Sequence, residues 1–227
     1  MNSILTIPNL LTFLRMALIP VFASLLFYGY GGMALLVFLI AGLSDGVDGF
    51  IARRFKQESE LGTILDPIAD KLLISAALIV LVEKHLAPSW AVVVIIGREF
   101  IITGLRSVAA SEGIIMQAQS LGKLKMWAQC IAVVALLVAA ANGPPPVSNF
   151  GLDYPAFFWE VAEVQTAFSD LAKMTITSND WKVFGYLVGR GALWVAVITA
   201  VWSMYGYFSY FFTENRRRRQ AVSDESQ

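Results

Sequence analysis

Two apolar stretches decide the fold class of this chain: MALLVFLIAGLSDGVDGFI at residues 33–51 and GTILDPIADKLLISAALIVLV at residues 62–82. Each approaches the length of about 20 mostly apolar residues that a helix needs to cross a bilayer. Each also carries two aspartates near one end. An Asp without a partner at the bilayer centre costs about 2.5 to 3.5 kcal/mol on insertion scales. The two stretches therefore predict membrane helices whose carboxylates are compensated by bound cations or by other charges.

The composition extends this prediction to the whole chain. Of the 227 residues, 57% are hydrophobic and 15% are charged, which is more apolar than an ordinary soluble domain needs. Six stretches are long enough to span: residues 7–28, 33–51, 62–82, 90–110, 125–141 and 183–212. We predict an all-α polytopic membrane protein, a six-transmembrane-helix bundle that forms a single domain over residues 1–227.

The net charge and the single cysteine and histidine limit the binding partners and metal sites that are possible. The formal net charge is zero, which argues against a nucleic-acid partner held by a basic surface. Cys130 is the only cysteine and His85 the only histidine. An intramolecular disulfide, a cysteine zinc site and a paired-histidine metal site are therefore excluded. Any catalysis must use carboxylates.

Basic residues predict the orientation in the membrane. Six spans place both termini on one side, together with the connection at residues 53–56, the pair Lys123 and Lys125, and the run of arginines at 216–219. Cytoplasmic loops carry an excess of Lys and Arg. We therefore expect cytoplasmic termini and a site that opens to the cytoplasm.

The connection at residues 142–181 and the tail at 213–227 lie outside the predicted spans. The connection opens with Gly143 and three prolines, and then shows apolar residues at helical spacing. These residues are Phe157, Val161, Val164, Phe168 and Leu171. They predict an amphipathic helix on the outer membrane surface, or alternatively a packed cap over the bundle. The arginine run predicts a topology signal that also binds anionic headgroups, and residues 221–227 are predicted to be disordered.

The four aspartates form two pairs. Asp45 and Asp48 are three residues apart, and Asp66 and Asp70 are four apart, so each pair lies on one helical face. Hard oxygen ligands without histidine or cysteine suit Mg²⁺, and four carboxylates can hold two such ions. Mn²⁺ is the expected substitute. The sequence thus predicts a magnesium site between two helices.

One spacing resembles a known family. The pattern D-x-x-D-G-x-x-A-R, eight residues, G-x-x-x-D-x-x-x-D runs from Asp45 to Asp70 and is similar to the signature of the CDP-alcohol phosphatidyltransferases. The segments PNLLTFLR at 8–15, GREFIITGLR at 97–106 and GKLK at 122–125 resemble the bacterial phosphatidylglycerophosphate synthase branch of that family. The resemblance covers residues 8–125 and implies the fold of that family.

The resemblance also implies an activity. The donor would be CDP-diacylglycerol, the acceptor sn-glycerol 3-phosphate, and the products phosphatidylglycerophosphate and CMP. By the same resemblance Asp70 is the catalytic base, although it could serve as a metal ligand only, and the protein is a homodimer. The positions that match donor-binding residues are Gly49, Ala52, Arg53 and Gly62.

The positions of four other charged residues indicate a site for the acceptor. Arg98, Arg106, Lys123 and Lys125 are candidates for binding the acceptor phosphate. A structural ion pair between Glu99 and Arg106 is the alternative for the fourth span. Because residues two apart cannot share a helical face, only one of the two lysines is expected at the phosphate, and Lys123 is favoured.

Two residues of the first span are further donor candidates. Arg15, with Thr12 one turn earlier, is expected to touch the phosphates of the donor. The alternative is an arginine that snorkels to the membrane interface.

Two other functions stay open. The shared signature serves the donor, so another member of the family with inositol phosphate, serine or a different polyol as acceptor fits it equally. A divalent-cation transporter is the distant alternative, because acidic residues within membrane helices also mark ion pathways.

Overall fold

The structure is a computed structural model, and it describes residues 7–55, 60–114, 121–143 and 162–225. Within these ranges the chain forms seven helices and no strand. The helices are α1 (Ile7–Phe27), α2 (Gly31–Phe55), α3 (Glu60–Glu83), α4 (Ser89–Ser111), α5 (Leu121–Ala141), α6 (Ala162–Ala172) and α7 (Ser178–Glu225). The predicted all-α class is confirmed for this part of the chain.

Each of the six predicted spans coincides with a helix. By length and hydropathy, three segments of the described residues can cross a membrane: Asn9–Phe27, Leu124–Ala141 and Ser178–Arg217. The apolar part of α2 is the shorter segment Gly31–Ser44. The chain is thus a helical membrane protein, while six spans remain a prediction.

The core lies where α5 packs along α7 and α1 packs along α2. Two glycines of α7 allow the closest approach. A Cβ atom at Gly185 would lie 2.7 Å from the carbonyl oxygen of Ala135, and one at Gly189 would lie 2.5 Å from Cγ of Leu136. Lipid tails provide no hydrophobic drive for helix association, so membrane helices associate through close packing. Small residues such as these glycines allow that close packing.

Two of the turns use left-handed backbone conformations. Gly29, between α1 and α2, has φ +88°, and His85, between α3 and α4, has φ +58°. Gly31 then begins α2 so close to α5 that an added Cβ would lie 2.6 Å from the carbonyl oxygen of Ala140. The turn at Gly29 and the close approach of Gly31 keep α1, α2 and α5 together at the end of the bundle opposite the aspartates.

Helix α6 packs on the first turns of α7. Val164, Ala167 and Val183 are fully buried against each other, and the ring centroids of Phe168 and Phe184 are 5.6 Å apart. The contact of α6 with α7 agrees with the alternative of a packed cap over the bundle. Binding of α6 to lipid stays a prediction. Leu171 is 45% exposed, and Phe157 and Val161 lie outside the described residues.

Helix α7 runs without a break to Glu225, so the prediction of disorder at residues 221–227 is wrong as far as Glu225. Two causes explain the continuation. Residues 214–221 contain no glycine or proline, and arginine, glutamine and alanine are good helix formers. Phe211, at the end of the apolar part of α7, also packs against Ala109 and Ile114 near the end of α4, which holds α7 where its charged part begins.

Candidate active site

The signature residues lie on α2 and α3. Asp45 and Asp48 belong to the last three turns of α2, and Asp66 and Asp70 belong to the first three turns of α3. Because four residues connect the two helices and the helices contact each other, both acidic segments lie at the same end of the bundle. The backbone thus brings together the two segments that the sequence predicted to share a metal.

Most signature side chains lie outside the described part of the structure. This applies to Asp45, Asp48, Gly49, Ala52, Arg53, Gly62 and Asp66. Among the described side chains, no three acidic, histidine or cysteine residues form a group suited to a metal. The metal and nucleotide roles of these positions therefore stay predictions. Asp70 is described: it is exposed on α3 and interacts electrostatically with Cys130 of α5.

A group of polar side chains continues from Asp70 across the bundle. We call Lys71, Arg98, Arg106 and Lys125 the cation cluster. Lys71 Nζ donates a hydrogen bond of 2.9 Å to Oγ1 of Thr103 and so connects α3 to α4. Sequence reasoning missed Lys71. Its position could have indicated a role, because Lys71 directly follows the last signature aspartate and lies inside an apolar span.

Glu99 joins α4 to α5. Its Oε1 atom forms an ion pair with Nζ of Lys125 and lies 3.3 Å from Nη1 of Arg98. The alternative of an ion pair between Glu99 and Arg106 is wrong, since the two ion-pair partners of Glu99 among the described residues are Arg98 and Lys125. Seven residues of helix separate Glu99 from Arg106 by about 10 Å along the axis, whereas the neighbouring helix brings Lys125 into direct contact.

Ser203 and Tyr207 join α7 to the same cluster. Arg98 donates from Nε and Nη2 to Oγ of Ser203, at 3.1 and 2.6 Å. The ring centroid of Tyr207 is 6.0 Å from Cζ of Arg98 and 5.6 Å from Cζ of Arg106. Sequence reasoning missed both residues. Two signals were available: their spacing of four, which puts them on one face of a helix, and the stretch WSMYGYF at 202–208, which weakly resembles the same family.

Among the described ion pairs, the cation cluster carries more positive charge than Glu99 neutralises. Glu99 pairs with two of the four cations, Arg98 and Lys125, and Lys125 also interacts electrostatically with Arg98 and Lys71. Arg98 and Lys125 are buried, at 8% and 4% exposure, whereas Arg106 is exposed. A partly buried excess of cations suits an anionic ligand. Three of the four residues predicted to bind the acceptor phosphate are thus brought together, and the side chain of Lys123 lies outside the described residues.

One face of α1 is polar and buried. Asn9, Thr12 and Arg15 follow each other at intervals of three and are at most 1% exposed. The snorkelling alternative for Arg15 is wrong, because its side chain is covered by the protein rather than extended along the surface. Helix α1 packs against α2 and α3, which carry the signature. Arg15 therefore lies on a helix that contacts both signature helices.

The fold and these charges define a class: a helical membrane protein whose bundle carries acidic signature helices and, next to them, a partly buried cluster of cations. Residues 5–202 match the family described as CDP-alcohol phosphatidyltransferase. This region is most of the chain, and the chain belongs to that family.

Similar proteins share part of the chain. The CDP-diacylglycerol--glycerol-3-phosphate 3-phosphatidyltransferase of Bacillus subtilis is 46% identical over 147 residues, which are 58% of this chain and 76% of that protein. A protein of the same name from Pseudomonas fluorescens is 38% identical over 154 residues, or 64% and 76% of the two chains. The "Probable phosphatidylglycerophosphate synthase" of Mycobacterium tuberculosis is 39% identical over 147 residues, or 62% and 69%.

Proposed function

We propose that this chain transfers the phosphatidyl group of CDP-diacylglycerol to sn-glycerol 3-phosphate and releases CMP. The observation that carries the proposal is the family match over residues 5–202, together with relatives named for this reaction at up to 46% identity. Membership of a transferase family also favours this reaction over the transport of divalent cations.

The cation cluster supports a phosphorylated acceptor. A neutral polyol or serine lacks the phosphate that a cluster of cations binds well, whereas glycerol 3-phosphate carries one. The exposed members of the cluster are Lys71 and Arg106, and we assign the phosphate contact to Arg106, with Lys123 as the proposed second contact. Buried Arg98 and Lys125 add positive charge behind it.

Magnesium fits the donor set of the signature. Carboxylate oxygens are the ligands that Mg²⁺ prefers, and exposed Asp70 is accessible to an ion. We propose that Asp45, Asp48, Asp66 and Asp70 hold two ions, with Mn²⁺ as a substitute. Bound there, Mg²⁺ would neutralise the charge that develops on the diphosphate.

Asp70 is the proposed base. The hydroxyl oxygen of the acceptor attacks the phosphorus atom that carries diacylglycerol, the bond from that phosphorus to the CMP oxygen breaks, and Asp70 accepts the hydroxyl proton. Gly49, Ala52, Arg53 and Gly62 are proposed to contact the cytidine nucleotide. Buried Arg15 and Thr12, on the helix beside the signature, are proposed to contact the phosphates of the donor.

The proposal includes an orientation and an assembly. Helices α1 to α5 and α7 would each cross the inner membrane of a bacterium, with both termini and the active site on the cytoplasmic side. The chain would act as a homodimer among membrane lipids. The number of basic residues at the ends predicted to be cytoplasmic supports this orientation.

The test is an acceptor screen on purified protein in detergent. With Mg²⁺ and CDP-diacylglycerol, CMP should be released with glycerol 3-phosphate and not with serine, inositol phosphate or glycerol. Chelation of the metal should stop the release. Asp70→Asn should lower kcat by at least about a hundredfold, which is the usual contribution of a positioned base. CMP release with another acceptor alone would refute the acceptor assignment, and substantial turnover by Asp70→Asn would refute its role as base.

A further inference from the structure

Helix α7 carries two buried side chains that contact the arginines of the cation cluster. Ser203 is 1% exposed and Tyr207 is 7% exposed. They are four residues apart, so they lie on one face of α7, and this face contacts α4. The matched family region ends at residue 202, just before both residues. Neither side chain has a role in the reaction proposed above.

Ser203 holds Arg98 in one orientation. The guanidinium group uses Nε and Nη2 for Oγ of Ser203 and Nη1 for Oε1 of Glu99. A planar group that is bound along two edges cannot rotate without breaking these bonds. Arg98 is also buried, so it cannot swing out to capture a ligand. It therefore provides a positive charge at a set place.

Tyr207 holds Arg106 near Arg98. The two arginines are eight residues apart, which is about 12 Å along α4, and two cations repel each other. Nevertheless both lie within 6.0 Å of the centroid of the same aromatic ring. The negative face of an aromatic ring attracts guanidinium groups and so offsets their repulsion. Arg106, which is exposed, is thereby held beside a second positive charge.

We propose that Ser203 and Tyr207 are positioning residues for the acceptor: they hold the guanidinium groups of Arg98 and Arg106 together so that both charges act on the phosphate of glycerol 3-phosphate. This inference rests on the function proposed above. It predicts that side chains of α7 affect the affinity for the acceptor, whereas the donor is bound by the signature helices α2 and α3.

The kinetic test separates the two substrates. Tyr207→Leu, which removes the ring, should raise the KM for glycerol 3-phosphate about tenfold, the scale of a partly desolvated cation–π contact. Ser203→Ala should raise it about fivefold, because Arg98 loses its hydrogen-bond acceptor. The KM for CDP-diacylglycerol and kcat should change less than about twofold, since a contact made equally in ground state and transition state affects KM alone.

Conservative variants are the matched controls. Tyr207→Phe keeps the ring, and Ser203→Thr keeps the hydroxyl group, so both should retain a KM for glycerol 3-phosphate close to that of the unaltered protein. In an Arg106→Gln background, Tyr207→Leu should cause little further increase, because Tyr207 acts on Arg106. Additive increases would overturn the inference. It would also be overturned if the KM values of both substrates rose together with a loss of thermal stability.

A binding measurement keeps this inference separate from the proposed reaction. Calorimetry with inorganic phosphate should show weaker binding to Tyr207→Leu than to Tyr207→Phe, whether or not CMP is formed. Equal affinities would overturn the positioning role. If the unaltered protein bound phosphate in this ring-dependent way but released no CMP with glycerol 3-phosphate, the proposed function would fail and the positioning of an anion site would stand.

Discussion

Glu99 is a carboxylate that pairs with two members of the cation cluster, Arg98 and Lys125. It is 24% exposed, while the side chain of Lys125 is 5% exposed and that of Arg98 is 9% exposed. Charges taken out of water need partners, and the removal of one partner leaves the others uncompensated. Glu99 is therefore expected to stabilise the junction of α4 and α5, whatever the acceptor.

Glu99→Gln should consequently lower the free energy of unfolding by about 3 kcal/mol, the lower end of what breaking a buried pair costs. The six tryptophans provide a fluorescence signal for unfolding by a denaturing detergent in mixed micelles. Glu163→Gln is the matched control. It removes the partner of Lys182 at 2.9 Å, but Glu163 is 47% exposed, so the loss should stay below about 1 kcal/mol. Equal losses in both variants would contradict this view of Glu99.

At the scale of the element, α7 is the helix that connects the parts of the bundle. It packs against α5, α4 and α6, and it carries the two side chains that hold the arginines of α4. Its contact with α5 depends on backbone approach at Gly185, where an added Cβ would meet the carbonyl oxygen of Ala135 at 2.7 Å and the amide nitrogen of Ala139 at 3.0 Å. Both neighbours are backbone atoms, which cannot move aside as a side chain can.

Gly185→Ala should therefore force α5 and α7 apart and lower the free energy of unfolding by about 1 to 3 kcal/mol, the usual cost of overpacking. Gly191→Ala is the control on the same helix. Apart from the backbone of its own helix and its chain neighbours, no atom lies within 4 Å of its added Cβ, so stability should be unchanged or rise by up to about 1 kcal/mol through helix propensity. The same detergent titration measures both variants. A similar effect of the two substitutions would show that the glycine contact is unimportant.

At the scale of the whole molecule, the length of α7 bears on the orientation. A continuous helix of 48 residues is about 72 Å long, whereas a bilayer with its headgroups is about 40 to 45 Å thick. A helix of this length that crosses the bilayer therefore extends beyond it, and its two ends lie on opposite sides. In the orientation proposed above, the turn after α6 lies outside and the arginine run lies in the cytoplasm.

Cysteine labelling tests this orientation. Cys130→Ser removes the only cysteine, and two single cysteines can then be placed at exposed positions: Met174→Cys, where the native side chain is 91% exposed, and Gln220→Cys. A membrane-impermeant maleimide should label Met174→Cys with the inner membrane intact and Gln220→Cys only after that membrane is opened. The reverse pattern would invert the proposed topology, and the Cys130→Ser parent should remain unlabelled in both conditions.

The sequence by itself determined the helices and the class of reaction. Apolar stretches of spanning length predict helices because hydropathy and helical periodicity are local properties, and all six predicted stretches coincide with helices. The signature from Asp45 to Asp70 likewise uses fixed spacings on two consecutive helices. The signature could therefore be recognised from the sequence without knowledge of how the helices pack.

Only the tertiary structure decided which charges share a site. The hydrogen bond from Arg98 to Ser203 joins residues 105 positions apart, and Glu99 pairs with Lys125 of the next helix rather than with Arg106 of its own. The covering of Arg15 and the continuation of α7 to Glu225 also depend on neighbouring helices. No spacing along the chain encodes these contacts, because they arise when separate helices pack and bring their faces together.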